Sequence, residues 1–427
     1  MLGRYRFRHS VWQQRLTPWL KLDWLLLLAV LALLVIGVLA IRSVQIHHPS
    51  YNDALQQLIM GGISVVICLL LARWDYENLL QWHWLIYGFT NLLLIAVIVV
   101  GTSANGAQNW LTIGSFNIQP SEFAKVGVII TQAALLHKHT AAKIPRLLVV
   151  LAVTAVPLGL VFIQPDLGTS LVFCAISLGM LYWANAHPGW IVLMFSPLVS
   201  AIAANLALPY NLGITLWLAW TLGMGIVGWY SFAFRFVGAF GAVLVNLASA
   251  GLGRLLWGLL KEYQKDRLTL FLDPSKDPLG AGYHLIQSRI AIGSGGWWGR
   301  GLFQGTQTQL GFIPEQHTDF IFAAIGEEWG FFGSVMILGV FWLICFRLLM
   351  IARTAKDNFG SLLAIGVLSM VFFQVLINVG MTIGLSPVTG IPLPWLSYGR
   401  SALLTNFVAL GIVEAVAYAR PAPRRHL

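Results

Sequence analysis

Long apolar runs recur along the chain, at 23–41, 55–73, 83–101, 119–137, 146–163, 169–184, 188–206, 213–231, 236–260, 322–346, 360–385 and 399–419. Most approach the twenty or so apolar residues that a helix needs to cross a hydrocarbon core about 30 Å thick. The pattern predicts an all-α polytopic membrane protein, a bundle of about twelve transmembrane helices. The first run is too long for the core of a signal peptide and no cleavage site follows it, so it reads as the first span. The run 236–260 contains Arg254, close enough to its end for a long side chain to snorkel. The chain then divides into a tail at 1–22, a membrane domain at 23–420 and a tail at 421–427. Within the domain, 261–320 is one large loop between spans.

Composition agrees. Of the 427 residues, 58% are hydrophobic and 10% charged, whereas a soluble domain has about 25% charged residues. The net charge of +10 would suggest nucleic acid in a soluble protein. Here it reads as basic loops facing anionic membrane lipids, and no nucleic-acid partner is expected. Cys68, Cys174 and Cys345 each lie inside an apolar run, with no pairing or metal-binding spacing.

Charge placement orients the bundle. Arg73, Lys138, Lys143, Arg146, Arg235, Arg347, Arg353 and Lys356 fall in alternate short segments, and the two tails add Arg4, Arg6, Arg8, Arg15, Lys21, Arg420, Arg424 and Arg425. The intervening short segments hold almost none, Arg42 being the exception. The positive-inside rule therefore puts both termini in the cytoplasm and 261–320 outside. That loop carries six Lys/Arg and six Asp/Glu, with Tyr283, Ile290, Trp297, Trp298, Phe303 and Phe312 among them. So many large apolar residues predict a folded cap on the bundle mouth.

Four polar or turn-rich segments then share the outer face. The first runs from Asn105 through Trp110 to Gln119-Pro120-Ser121-Glu122-Phe123-Ala124-Lys125. Pro120 suits a helix start, and Glu122 either complements that helix end or pairs with Lys125 one turn on. The second, Gln164-Pro165-Asp166-Leu167-Gly168-Thr169-Ser170, is a turn whose Asp166 either caps the next helix or ligates a divalent cation. The third, Pro314-Glu315-Gln316-His317-Thr318-Asp319-Phe320 with Gly326-Glu327-Glu328, gathers four carboxylates and a histidine where the loop enters the membrane. One capping acid would suffice there, so the excess points to acid–base or metal chemistry. Zinc does not fit, because no Cys or second His completes a ligand set. The fourth, Ser386 to Ser401, places Pro387, Pro392, Pro394 and Gly390 where no regular helix can form, and ends in Tyr398-Gly399-Arg400. Irregular backbone at membrane depth must be covered by protein or line a cavity. An outer cavity with carboxylates, cations and aromatics suits either a lipid-diphosphate-using enzyme or an ion-coupled transporter.

The strings QPSEFAK, QPDLGTS, DPLGAGYH with QSRIAIGSGG, PEQHTDFIF with GEEWGFFGS, and PVTGIPLPWLSYG occur in that order. By these the chain resembles the SEDS family (shape, elongation, division and sporulation) from about residue 24 to 420. Gly282-Tyr283-His284 and Ile290–Gly296 are similar to its elongation-type members rather than its division-type ones. The resemblance implies a peptidoglycan glycosyltransferase of the bacterial inner membrane, active on the outer face in cell elongation and rod shape. It would polymerise lipid II, release undecaprenyl diphosphate, and work with a class B penicillin-binding protein and other elongation-complex proteins. It implies that Asp319 is the essential acid, and that Trp110, Glu122, Lys125 and Asp166 are functional. Glu315, His317 and Arg400 join them as candidate substrate-binding residues. A divalent cation, Mg²⁺ or Mn²⁺, would be held by Asp166 and Asp319, and no organic cofactor is expected. The alternatives are a lipid II flippase, a division-type paralogue and a scaffold without activity. Three departures stand out. Asn109 replaces a residue that is often basic, Arg400 replaces a glycine, and 188–260 holds three spans where the family has one, implying a two-helix insertion in a ten-helix core.

The topology is testable by labelling single cysteines with an impermeant reagent. Lys276→Cys and Arg300→Cys should react from outside, and Lys143→Cys and Lys356→Cys should not. Outside labelling at 143 would overturn the orientation.

Overall fold

The computed structural model describes residues 21–46, 52–104, 107–114, 116–138, 141–205, 210–259, 265, 277 and 282–420. Most of the loop segment 261–281 and Arg424 and Arg425 lie outside the described residues. Among the described residues, twelve long helices answer the twelve apolar runs: α1 Trp24–Val44, α2 Asp53–Leu71, α3 Leu79–Val100, α4 Pro120–His137, α5 Ile144–Ile163, α6 Leu167–Trp183, α7 Pro188–Asn205, α8 Tyr210–Ser231, α9 Arg235–Leu259, α12 Ile321–Thr354, α13 Asn358–Ile383 and α14 Arg400–Tyr418. Eight helical segments are long and apolar enough to cross a membrane by length and composition. Two short helices, α10 Tyr283–Gly295 and α11 Thr306–Gln309, belong to the large loop. A small antiparallel sheet joins α3 to α4, in the order β1 Thr102–Ala104, β2 Ala107–Ile113 and β3 Phe116–Ile118. The turn-rich reading of that segment did not anticipate strands.

Helix α4 is central and mostly buried, and α13 packs on α4, α6, α12 and α14. Gly366 of α13 sits against Ile129 and Met180, where any side chain would collide, so three helices approach closely at that level. The basic end is tied by ions. Asp23 caps α1 and takes Arg347 of α12 at 2.6 Å, while its own amide donates to Glu414 of α14 at 2.9 Å.

Helices α7, α8 and α9 pack chiefly on one another and meet the bundle where α7 follows α6. Buried hydrogen bonds hold them. Asn246 donates to the Ser196 hydroxyl at 2.9 Å, the Ser200 hydroxyl to the Asn246 carbonyl at 2.7 Å, and the Trp217 indole to Ser200 at 2.8 Å. Such bonds and close glycine contacts, here Gly228 on Gly238, replace the hydrophobic drive that lipid does not supply.

The described part of the large loop is folded. It closes over a break in α12 at Gly330, whose φ of 67° and ψ of −160° are not helical. The interrupted backbone finds partners in the loop: Phe331 N donates to Gly296 O at 2.9 Å, and Arg300 N and Gly301 N donate to the Glu327 and Glu328 carbonyls at 3.0 Å each. A Cβ at Gly330 would strike the backbone of 297–299, so glycine there serves both the turn and the close approach. Glu327 is fully buried and accepts from the amides of Gln307 and Thr308 at 2.8 Å each and from the Thr308 hydroxyl at 2.6 Å. Glu328 accepts from the Ser43 hydroxyl of α1. These two carboxylates are anchors of the loop.

Glu327→Gln replaces an acceptor with an amide that must also donate. It should cost about 3 kcal/mol, since hydrogen bonds to a buried charge are lost. The readout is a lower unfolding midpoint and faster proteolysis within 296–310. An unchanged midpoint would remove Glu327 from this role.

Candidate functional site

The segment Ser386–Gly399 between α13 and α14 has no regular structure, yet Ile391, Leu393, Trp395 and Leu396 are almost wholly buried. Its peptide groups are met from several elements. Asn378 of α13 donates to Ile391 O at 2.8 Å, Gln57 of α2 donates to Ser397 O at 3.0 Å, and Tyr398 N donates to His317 O at 2.9 Å. Within the segment, the Ser397 hydroxyl accepts from Leu393 N at 2.8 Å. Gly37 of α1 gives room for the Leu396 carbonyl.

Asp319 lies against this segment. The chain reaches it through a turn in which Glu315 adopts φ 50° and its carbonyl accepts from the amides of Thr318, Asp319 and Phe320. Asp319 is half-buried, and its Oδ2 faces Gly390, where a Cβ would stand 3.5 Å away. Asn378 also donates to the Asp319 carbonyl at 2.9 Å, so one buried amide ties Asp319 to Ile391. Phe320, Ile321 and Phe322 behind it are buried.

On the other side of the same segment, Gly168 packs on the Thr389 carbonyl and Ile391. Two residues before it, Asp166 caps α6, accepting from Thr169 N at 3.0 Å and the Thr169 hydroxyl at 2.8 Å. Asn109 of β2 adds a bond at 3.2 Å. An amide thus stands beside this carboxylate. Burial pushes the Asp166 carboxyl above its ordinary range; the Thr169 bonds and Lys125 oppose the shift and Glu122 adds to it. Glu122 and Lys125 form a 2.7 Å pair one turn into α4, with 2% and 1% exposure. The start of α4 is fixed to α14, because Gln119 N donates to the Ser401 hydroxyl at 3.1 Å. Trp110 lies in β2, half-buried, in register with Thr102. Arg400 is the first residue of α14 and partly exposed.

Asp319, Asp166, Glu122, Lys125, Trp110 and Arg400 therefore all border one end of the bundle around Ser386–Gly399. His317 turns toward the start of α2. The His317 Nε2 is 4.0 Å from Asp53, its ring is 5.7 Å from that of Tyr398, and Glu315 is exposed beside the Thr318 hydroxyl. The four carboxylates grouped in the sequence separate here: Asp319 faces the segment, Glu315 faces solvent, and Glu327 and Glu328 hold the loop. Among the described residues no three His, Cys, Asp or Glu side chains form a metal-binding group. Asn378, Gln57 and Gln56, which accepts from the Tyr398 hydroxyl at 2.8 Å, escaped the sequence reading. The signal for Asn378 was there: it and Gln374 interrupt the apolar run 360–385 four residues apart.

The model of the FtsW/RodA/SpoVE family, described as a cell cycle protein, matches residues 19–221 and 212–421. The chain belongs to that family. This FtsW/RodA/SpoVE member is 36% identical over 422 residues to the peptidoglycan glycosyltransferase RodA of Treponema pallidum (strain Nichols), over 92% of this chain and 97% of that one. It is 35% identical over 397 residues to the peptidoglycan glycosyltransferase MrdB of Escherichia coli (strain K12), over 92% and 93%. A similar solved structure concerns the coordination of polymerization and crosslinking by a peptidoglycan synthase complex. There the TM-score is 0.68 and the identity 30%, over 93% of this chain and 98% of that one.

Two amides in α13 separate structural cost from benefit. Gln374 is buried with neither amide atom bonded among the described residues, so Gln374→Leu should leave the unfolding midpoint unchanged or raise it. Asn378→Leu orphans two carbonyls and should lower it, at a cost of about 1–3 kcal/mol for each carbonyl. Equal effects of the two substitutions would contradict the role given to Asn378.

Proposed function

We propose that this chain is a peptidoglycan glycosyltransferase of the elongation type, polymerising lipid II at the end of the bundle that carries the motifs. The reading rests on one observation above the others. Asp319, half-buried with its carboxylate turned to Gly390, lies against the non-helical segment between α13 and α14. The relatives named RodA and MrdB supply the reaction class.

Asp319 accepts the proton of the acceptor sugar hydroxyl as its oxygen attacks the anomeric carbon of the donor. The bond from that carbon to the diphosphate oxygen breaks with inversion, and undecaprenyl diphosphate leaves. Arg400 at the start of α14, together with the positive end of that helix's dipole, suits the departing negative charge. Lys125 already pairs with Glu122, so its part is to set the charge beneath Asp166. Asp166 and Trp110 border the donor. A divalent cation held by Asp319 would draw most of its shell from water and from the diphosphate, as Mg²⁺ does, because the acceptor positions of Asp166 are largely taken. His317 and Glu315 belong to the rim.

The flippase alternative needs free polar groups deep in the bundle. Gln132, Thr154 and Ser177 near the middle are tied to one another, with Gln132 donating to both at 2.6 Å. The positive-inside pattern puts the motif end outside, in the bacterial inner membrane. A class B penicillin-binding protein is the proposed crosslinking partner, on the precedent of the synthase complex that this fold resembles.

Asp319→Asn keeps shape and turn geometry but cannot act as a base. It should remain folded and membrane-inserted while glycan synthesis from purified lipid II falls by about 10²–10⁴. A rate near that of the unmodified protein would shift the base to Glu315 or Asp166.

A further inference from the structure

At the basic end, the bundle and the α7–α9 unit part to leave a cavity of about 690 Å³, lined by Ala142, Tyr182, Trp183, Asn185, His187 and Trp190. Its walls are fixed. Ala141 N donates to Ala184 O at 2.8 Å, and the Trp183 and Trp190 indoles donate to the Ser361 hydroxyl and the Ser231 carbonyl, each at 2.8 Å. Phe232 stands 6.0 Å from the Trp190 ring. The indole donors are thus satisfied inside the protein, which leaves the rings as an apolar wall.

Charge at the rim is one-sided. Lys138 and the three chain segments 141–146, 182–190 and 231–236, with Lys143, Arg146 and Arg235, supply no Asp or Glu. The start of α13, whose Ser361 meets Trp183, adds Asp357, which already accepts from the Tyr76 hydroxyl and the Gly360 amide. Lys138, Lys143 and Arg235 are exposed and Arg146 partly so. Lys143 and Arg146 start α5 on the bundle bank, and Arg235 starts α9 on the opposite bank. From this rim, exposed Ile144, Leu148, Val192 and Phe195 continue along α5 and α7 into the span.

We propose that this cleft binds one anionic phospholipid, its phosphate held between Lys143, Arg146 and Arg235 and its chains laid along the exposed apolar side chains of α5 and α7. Basic pockets between membrane helices at the positive face favour anionic headgroups. Aromatic rings at that depth suit the boundary between headgroup and chains. A soluble anion would gain nothing from the rings or from the apolar track below. The volume lies within the range of small-molecule sites, about 300–1,000 Å³. The lipid also has a structural use, because α7–α9 touch the bundle sparingly and a molecule filling the cleft joins the two.

The test uses the full-length protein, delipidated in detergent, with native mass spectrometry after addition of phosphatidylglycerol, phosphatidylcholine or inorganic phosphate. One phosphatidylglycerol should remain bound where phosphatidylcholine does not. Lys143→Gln with Arg146→Gln should weaken that binding at least about tenfold, at roughly fivefold for each cation lost. Arg235→Gln, on the other bank, should weaken it about fivefold. Lys356→Gln, on the same face but paired with Glu77, should not change it. Equal binding of the two lipids, full retention by the double variant, or displacement of phosphatidylglycerol by inorganic phosphate would each overturn the proposal.

Discussion

Hydrocarbon offers a peptide group no hydrogen-bond partner, and Ser386–Gly399 is a stretch of non-helical backbone that its prolines keep out of the helical ladder. Its carbonyls and amides must therefore be met by protein. The donors that meet them come from α2 and α13, and the His317 carbonyl comes from the loop. Each such bond brings its element to the same place. Asn378 fixes Asp319 to Ile391, Gln57 brings in α2, and the Ser401 hydroxyl draws in the start of α4. The site is in this sense a by-product of satisfying one irregular segment, and the residues with chemistry are the ones carried along.

The same constraint acts at Gly330, where α12 breaks and the loop turn at 296–301 supplies the lost partners. Two glycines meeting backbone to backbone make the approach close enough. Glu327 then secures the loop from inside. A carboxylate that looks like chemistry in the sequence is here a multiple acceptor for loop amides and hydroxyls.

Apolar run length made all twelve long helices legible, because membrane thickness leaves few alternatives. The Asp166 cap and the Glu122–Lys125 pair were legible from local spacing. What escaped depended on contacts distant in sequence. The β1–β3 sheet forms in a segment rich in turn residues, with no long alternating run to announce it. The break at Gly330 lies inside continuous apolar sequence and needs the loop opposite to be recognised. Asn378 reads as one polar residue in a span until the two carbonyls it serves, from residues 319 and 391, are placed beside it. The separation of Glu327 and Glu328 from Asp319 follows from helical rotation and loop packing, which a cluster of acidic letters does not encode.

The ordering of polar groups along the membrane normal bears on mechanism. At the basic end Asp23 pairs with Arg347 and its amide donates to Glu414, in the middle Gln132 of α4 is hydrogen-bonded to Thr154 and Ser177, and Asp319 lies at the motif end. On the proposed mechanism, bond-making takes place at the motif end. Reconstitution of the purified chain into liposomes with labelled lipid II separates the two outcomes, because strand formation and transbilayer movement are read in one sample. The account predicts glycan strands, with lipid II crossing the bilayer no faster than in protein-free vesicles. Rapid crossing without any strands would contradict it.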